Sequence, residues 1–79
     1  MSQPISPIQK KLLIKLGESI QSIRKKKGLT LEEVGDRIGK DRQSIHRIEK
    51  GLFNPSYLYL LDICKGLEIT LEELFEENK

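Results

Sequence analysis

The sequence predicts an all-α protein of five helices, on three observations. Helix-capping signatures recur along the chain, apolar residues between them repeat at three- and four-residue steps, and strand alternation is confined to Tyr57-Leu58-Tyr59-Leu60. That short run fits a helix, with its residues shared between surface and core. At 79 residues the chain supports a single modest core, so one domain over residues 1–79 is expected. Its 37% hydrophobic and 33% charged residues suit a bundle of short amphipathic helices.

The first helix starts at Ser6-Pro7-Ile8-Gln9: an N-cap Ser, Pro at the first helical position and Gln at the third, together a capping box. Ile8, Leu12, Leu13, Leu16, Ile20 and Ile23 then form one apolar stripe. Lys25, Lys26, Lys27 and Gly28 close it, and the lysines suit the negative end of the helix dipole. Thr30-Leu31-Glu32-Glu33 is a second capping box, opening a short helix with Val34 and Ile38 on one face and a stop at Gly39. Asp41 caps a third helix, whose Ile45 and Ile48 face inward and which ends at Lys50-Gly51. Pro55 places a connection at Leu52-Phe53-Asn54-Pro55. Leu58 and Leu61, with Ile63 or Cys64, mark a fourth helix from Ser56 to near Gly66. A third capping box, Thr70-Leu71-Glu72-Glu73, opens the last helix, which carries Leu74 and Phe75.

Composition narrows the function. One cysteine, Cys64, permits no internal disulfide and cannot build a zinc site; it reads as a small core residue. No stretch approaches the roughly 18 apolar residues of a membrane span, and a cytoplasmic protein is expected. No metal or cofactor is expected. The acidic residues Asp62, Glu68, Glu72, Glu73, Glu76 and Glu77 pair with no nucleophile or base, and the glycines build no phosphate loop, so no enzyme is expected. Net charge is +2, but residues 1–29 carry seven Lys or Arg against one Glu, and residues 52–79 carry two against six acidic residues. A basic front and an acidic back suit a chain that turns one side to a polyanion, or simply a solvated lysine-rich helix.

The two short helices joined by Gly39-Lys40 are the distinctive feature, with the motif core at residues 30–50. So tight a joint makes the helices cross steeply. Gly35 lets the next helix come close, and Gly39 can take the positive φ of the turn. Setting Asp41 at zero and advancing about 100° per residue, Ile45 and Ile48 share one side of the third helix. The other side holds Arg42, Gln43, His46, Arg47 and Lys50. Arg can give two hydrogen bonds to guanine N7 and O6, and Gln pairs with adenine N7 and N6. This arc therefore reads as a base-recognition surface. His46, with no second His and no Cys beside it, reads as a surface or phosphate-contacting residue. Ser44 suits a phosphate or sugar contact.

From Leu16 to Phe75 the chain resembles the Cro and phage-repressor helix-turn-helix regulators, the xenobiotic-response-element type, with their lambda-repressor-like fold. The resemblance rests on the IRKKKGLT start, the VGDRIG turn, the SIHRIEKG helix end and the NPS entry to helix four. It implies base contacts from Arg42, Gln43 and Arg47 with His46 adjacent, and backbone contacts from Thr30, Lys40, Ser44, Lys50 and Asn54. It also implies that Arg24 and Glu49 form a partly buried ion pair, a structural role. The function implied is a transcriptional regulator, a repressor acting as a homodimer on a palindromic operator in double-stranded DNA. Phage repressors, restriction-modification controllers and antitoxins of similar size are all compatible.

Three positions depart from the pattern. Leu31 stands where a Gln usually holds a phosphate, Lys40 where an apolar residue is usual, and Glu68 where Gly is common after the fourth helix. Leu31 also supports an alternative, a protein-interaction module such as an antitoxin partner whose main surface is helix five. Tyr57, Tyr59 and Phe53 read as peripheral core or as the edge of a dimer interface.

Overall fold

In the computed structural model, which describes residues 5–77, the chain folds as α1 (Pro7–Lys26), α2 (Leu31–Ile38), α3 (Arg42–Glu49), α4 (Tyr57–Leu67) and α5 (Leu71–Glu77). The first four and last two residues of the expected domain lie outside the described residues. Each helix start is tied by a local hydrogen bond. Ser6, Thr30 and Thr70 each accept the amide N–H three residues on, and Gln9, Glu33 and Glu73 each accept the cap's own N–H in return. Asp41 accepts from the Ser44 N–H at 2.7 Å and Ser56 from the Tyr59 N–H at 3.1 Å. These bonds satisfy amides that the first helical turn leaves without carbonyl partners.

One core holds the five helices together: Ile20 and Ile23 from α1, Val34 from α2, Ile45 and Ile48 from α3, Ile63, Cys64 and Leu67 from α4, and Leu74 from α5. α1 packs against α3 and α5, α2 against α3 and α4, and α4 against α5. Two glycines set the closest approaches. A Cβ on Gly17 would collide with the carbonyl oxygens of Ile48 and Glu49, and one on Gly35 with the carbonyl oxygen of Lys40. The C-terminal end of α3 thus seats on α1, and the turn before α3 on α2. Gly39 takes φ 70° at the end of α2, the left-handed conformation that turns the chain sharply into α3.

The apolar stripe expected along α1 is buried only in its C-terminal part. Ile8 is 72% exposed and Leu12 58% exposed, because the first turns of the 20-residue helix run on past the elements that cover Leu16, Ile20 and Ile23. Of the α4 pattern Leu58, Leu61 and Ile63 or Cys64, both Ile63 and Cys64 are buried, joined by Leu67, whereas Leu58 is 70% exposed. In α5 only Leu74 enters the core, and Phe75 stays half-exposed. The charge asymmetry also has an internal outlet. Lys26 Nζ lies 3.1 Å from Glu77, Ser22 donates to the same carboxylate, and Lys27 Nζ donates to the Glu68 carbonyl. Part of the basic front therefore meets the acidic back inside the molecule.

Glu68 caps α4 at φ 60°, the one positive φ on a non-glycine among the described residues. A β-carbon makes that conformation cost roughly 1–2 kcal/mol. The Lys27 bond uses only the Glu68 backbone carbonyl, so it survives substitution. Glu68→Gly is expected to stabilise the fold by about 1 kcal/mol and raise the melting temperature by about 4–8 °C in a domain of this size. Differential scanning calorimetry checks this. An unchanged or lower melting point would show that the side chain contributes more than its backbone strain removes.

Candidate nucleic-acid interface

α3 has two faces of different chemistry. Ile45 and Ile48 are fully buried on one, and Arg42, Gln43, His46 and Arg47 are exposed on the other. Helical spacing makes this division, and the seat of α3 on α1 and α2 fixes its direction. Lys50, just past the helix, and Thr30, Lys40 and Asn54 are exposed as well, whereas Ser44 is half-buried.

Leu31, Arg42, Gln43 and His46 line one open depression of about 500 Å³, which brings three of the four base-reading candidates around the first residue of α2. Arg47 lies apart from it, over a small crevice of about 50 Å³ shared with Ser44, Phe53 and Tyr59. Phe53 and Tyr59 meet edge to face at 6.1 Å, and Lys40 Nζ sits 4.9 Å from the centre of the Tyr59 ring. This cation–π contact is the structural use of the polar residue at position 40. It places the lysine beside the turn with its charge still at the surface. Burial pushes the Tyr59 hydroxyl above its ordinary pKa, opposed by nearby Ser44 and reinforced by the charge of Asp41. That hydroxyl is buried, and no side chain or carbonyl among the described residues reaches it in hydrogen-bond geometry.

Arg24 and Glu49 are withdrawn from the surface. Arg24 Nε and Nη2 donate to the two Glu49 carboxylate oxygens at 2.7 and 3.0 Å, and Nη1 donates to the Leu29 carbonyl at 2.8 Å. The Glu49 side chain has no solvent exposure and that of Arg24 only 10%. The pair ties α1, the α1–α2 loop and the end of α3 into one unit. Arg37 does the same for α2 and α4, donating to the Gly66 carbonyl at 2.8 Å. The Thr30 hydroxyl accepts from the Glu33 N–H at 3.0 Å and stands beside the Glu33 carboxylate, at the exposed start of α2.

Of these features, sequence reading missed the Gly17 seat, the Lys40–Tyr59–Phe53 cluster and the position of Leu31 among the reading residues. The first had a signal, a glycine in mid-helix where Ala is the better helix former. The other two join residues distant in sequence or on separate helices and leave no local pattern.

The helix-turn-helix family profile matches residues 20–74. The chain belongs to the Cro/C1-type helix-turn-helix family. Among its relatives, an HTH-type transcriptional regulator of Bacillus subtilis, YgzD, is 37% identical over 62 residues, covering 75% of this chain and 94% of that protein. The restriction-modification controller C.AhdI of Aeromonas hydrophila superposes with a TM-score of 0.79 at 32% identity, over 82% of this chain and 98% of its own. The controller C.Esp1396I, solved as a tetramer with its natural 35 base-pair operator, superposes at 0.80 with 36% identity, over 85% of this chain and 88% of its own.

Among the described residues no three His, Cys, Asp or Glu side chains converge as a metal set, and no helix is long and apolar enough to cross a membrane. Cys64 is buried in the core, and its thiol is pushed upward in pKa by that burial and then by the charge of Glu73. A raised pKa leaves little thiolate, the reactive form.

The caps of the helix-turn-helix predict a pH dependence. Asp41 is held below the ordinary carboxylate range by the Ser44 amide, and Glu33 by its bonds with Thr30. A carboxylate lowered in the folded state stabilises fully above its unfolded pKa, and the contribution is lost as pH falls through the lowered folded value. The melting temperature should therefore hold above about pH 5 and fall from about pH 4 downward. Thermal melts across that range check it; a melting point that rises on acidification would contradict the assignment.

Proposed function

We propose that this protein is a sequence-specific transcriptional regulator, a repressor that binds a two-fold symmetric operator in double-stranded DNA as a homodimer in the cytoplasm. The observation that carries the reading is the exposed face of α3, on which Arg42, Gln43, His46 and Arg47 stand over a helix fixed by Ile45, Ile48 and Glu49. Such an array of planar and bidentate donors on a rigid helix suits base edges in the major groove. Thr30, Lys40, Ser44, Lys50 and Asn54 take the phosphate contacts that set the register.

One domain of this size reads few base pairs, so useful specificity calls for two copies on half-sites about one helical turn apart. The controller C.Esp1396I, crystallised as a tetramer on its operator, supports both the ligand and the use of several copies. No enzymatic step is assigned to the chain.

Titration of duplex DNA at two salt concentrations tests the reading. Affinity is expected to fall steeply as salt rises, because each phosphate contact releases counterions. Absence of salt-dependent binding would overturn it and leave the protein-interaction reading of the same fold. Selection of bound sites from random duplexes then supplies the operator, its symmetry and its spacing together.

A further inference from the structure

We infer that Leu31 is a specificity residue, which receives the 5-methyl group of a thymine in the depression it shares with Arg42, Gln43 and His46. The inference rests on the DNA reading above and deepens it. Leu31 opens α2 immediately after its Thr30 cap, and its side chain is half-buried against the core. Part of its conformational freedom is therefore already lost before any ligand arrives. Leu31 is the one apolar residue lining a depression of about 500 Å³ whose other walls are three hydrogen-bonding side chains from the exposed face of α3.

An isobutyl group cannot hold a phosphate, since it has no donor and the phosphate oxygens are strongly hydrated. Within the major groove, the base edges offer hydrogen-bonding atoms and one apolar group, the thymine methyl. Arg42, Gln43 and His46 match the former; Leu31 matches the latter. The depression is continuous with the reading face, so a thymine methyl can reach Leu31 while neighbouring base edges meet the donors. Thr30, Lys40 and Ser44 remain to position the backbone, and Leu31 moves from the phosphate-holding role usual at its position to base selection.

The test uses the full chain and the operator recovered by selection. Each thymine is replaced in turn by deoxyuridine, which removes only the methyl group, and affinity is measured for the unaltered protein, Leu31→Gln and Leu31→Ala. Gln is the usual residue at this place in the family resembled, so Leu31→Gln keeps the fold if Leu31→Ala does not.

Expected is one thymine per half-site whose conversion to deoxyuridine weakens binding about fourfold, the worth of one buried carbon. That penalty should vanish in the Leu31 variants, while the other thymines behave alike in all proteins. A penalty of the same size in Leu31→Gln, or no penalty at any thymine, overturns the inference and leaves the regulator reading intact. Failure of the unaltered protein to bind any duplex overturns both.

Discussion

Glu49→Ala is expected to cost about 3–5 kcal/mol of folding stability, the usual consequence of removing one partner from a buried ion pair. The reason lies in what remains. Arg24 keeps its charge and two of its N–H donors lose their acceptor, in a place where the Arg24 side chain is only 10% exposed. Only the bond to the Leu29 carbonyl survives. A domain of this size has a total stability on the order of 4–12 kcal/mol, so the loss removes a quarter of it or more. Urea denaturation checks it: the midpoint should fall sharply with the slope unchanged.

Replacing both partners by apolar residues, Arg24→Met with Glu49→Leu, should recover much of the loss. Two apolar side chains leave no buried charge uncompensated and can pack in the same volume. If Glu49→Ala proves nearly neutral while folded, solvent reaches the pair and its structural role is smaller than the bidentate geometry implies. The pair also bears on function, because Glu49 is the last residue of α3 and its carbonyl oxygen lies against Gly17. Loss of DNA binding in Glu49→Ala should therefore track the folded fraction.

The helix starts were legible in the sequence because a cap is a local device. Ser6, Thr30, Asp41 and Thr70 each bond an amide three residues away, so the pattern that forms the bond is written within four letters. The division of α3 into buried Ile45 and Ile48 against exposed Arg42, Gln43, His46 and Arg47 was legible for a similar reason, since spacing alone sets it. What covers a face is a different matter. Ile8 and Leu58 have the right period, but a period names a side of a helix and says nothing of whether another helix reaches it. The basic front likewise read either as a side turned to a polyanion or as a solvated lysine-rich helix, and only the return of α5 against α1 shows that Lys26 faces Glu77. Lys40 over Tyr59 joins positions 19 apart in sequence, which no local rule connects.

Arg47→Ala should weaken binding to the selected operator by about 1–3 kcal/mol, roughly 5-fold to 150-fold, while random duplex loses less. Arg47 is exposed, holds no core contact of the kind made by Ile45 and Ile48, and overlies only the shallow crevice with Ser44, Phe53 and Tyr59. Its removal should leave the melting temperature nearly unchanged, which separates it from Glu49→Ala. The deciding quantity is the ratio of the two affinities. A guanidinium bidentate to guanine N7 and O6 is worth its full amount only where that guanine is present, whereas one lying on phosphate is worth the same everywhere. Equal losses on operator and random DNA, with the salt dependence reduced by about one counterion, would move Arg47 from the base edge to the backbone. Unequal losses confined to one base position would fix which step of the half-site α3 reads.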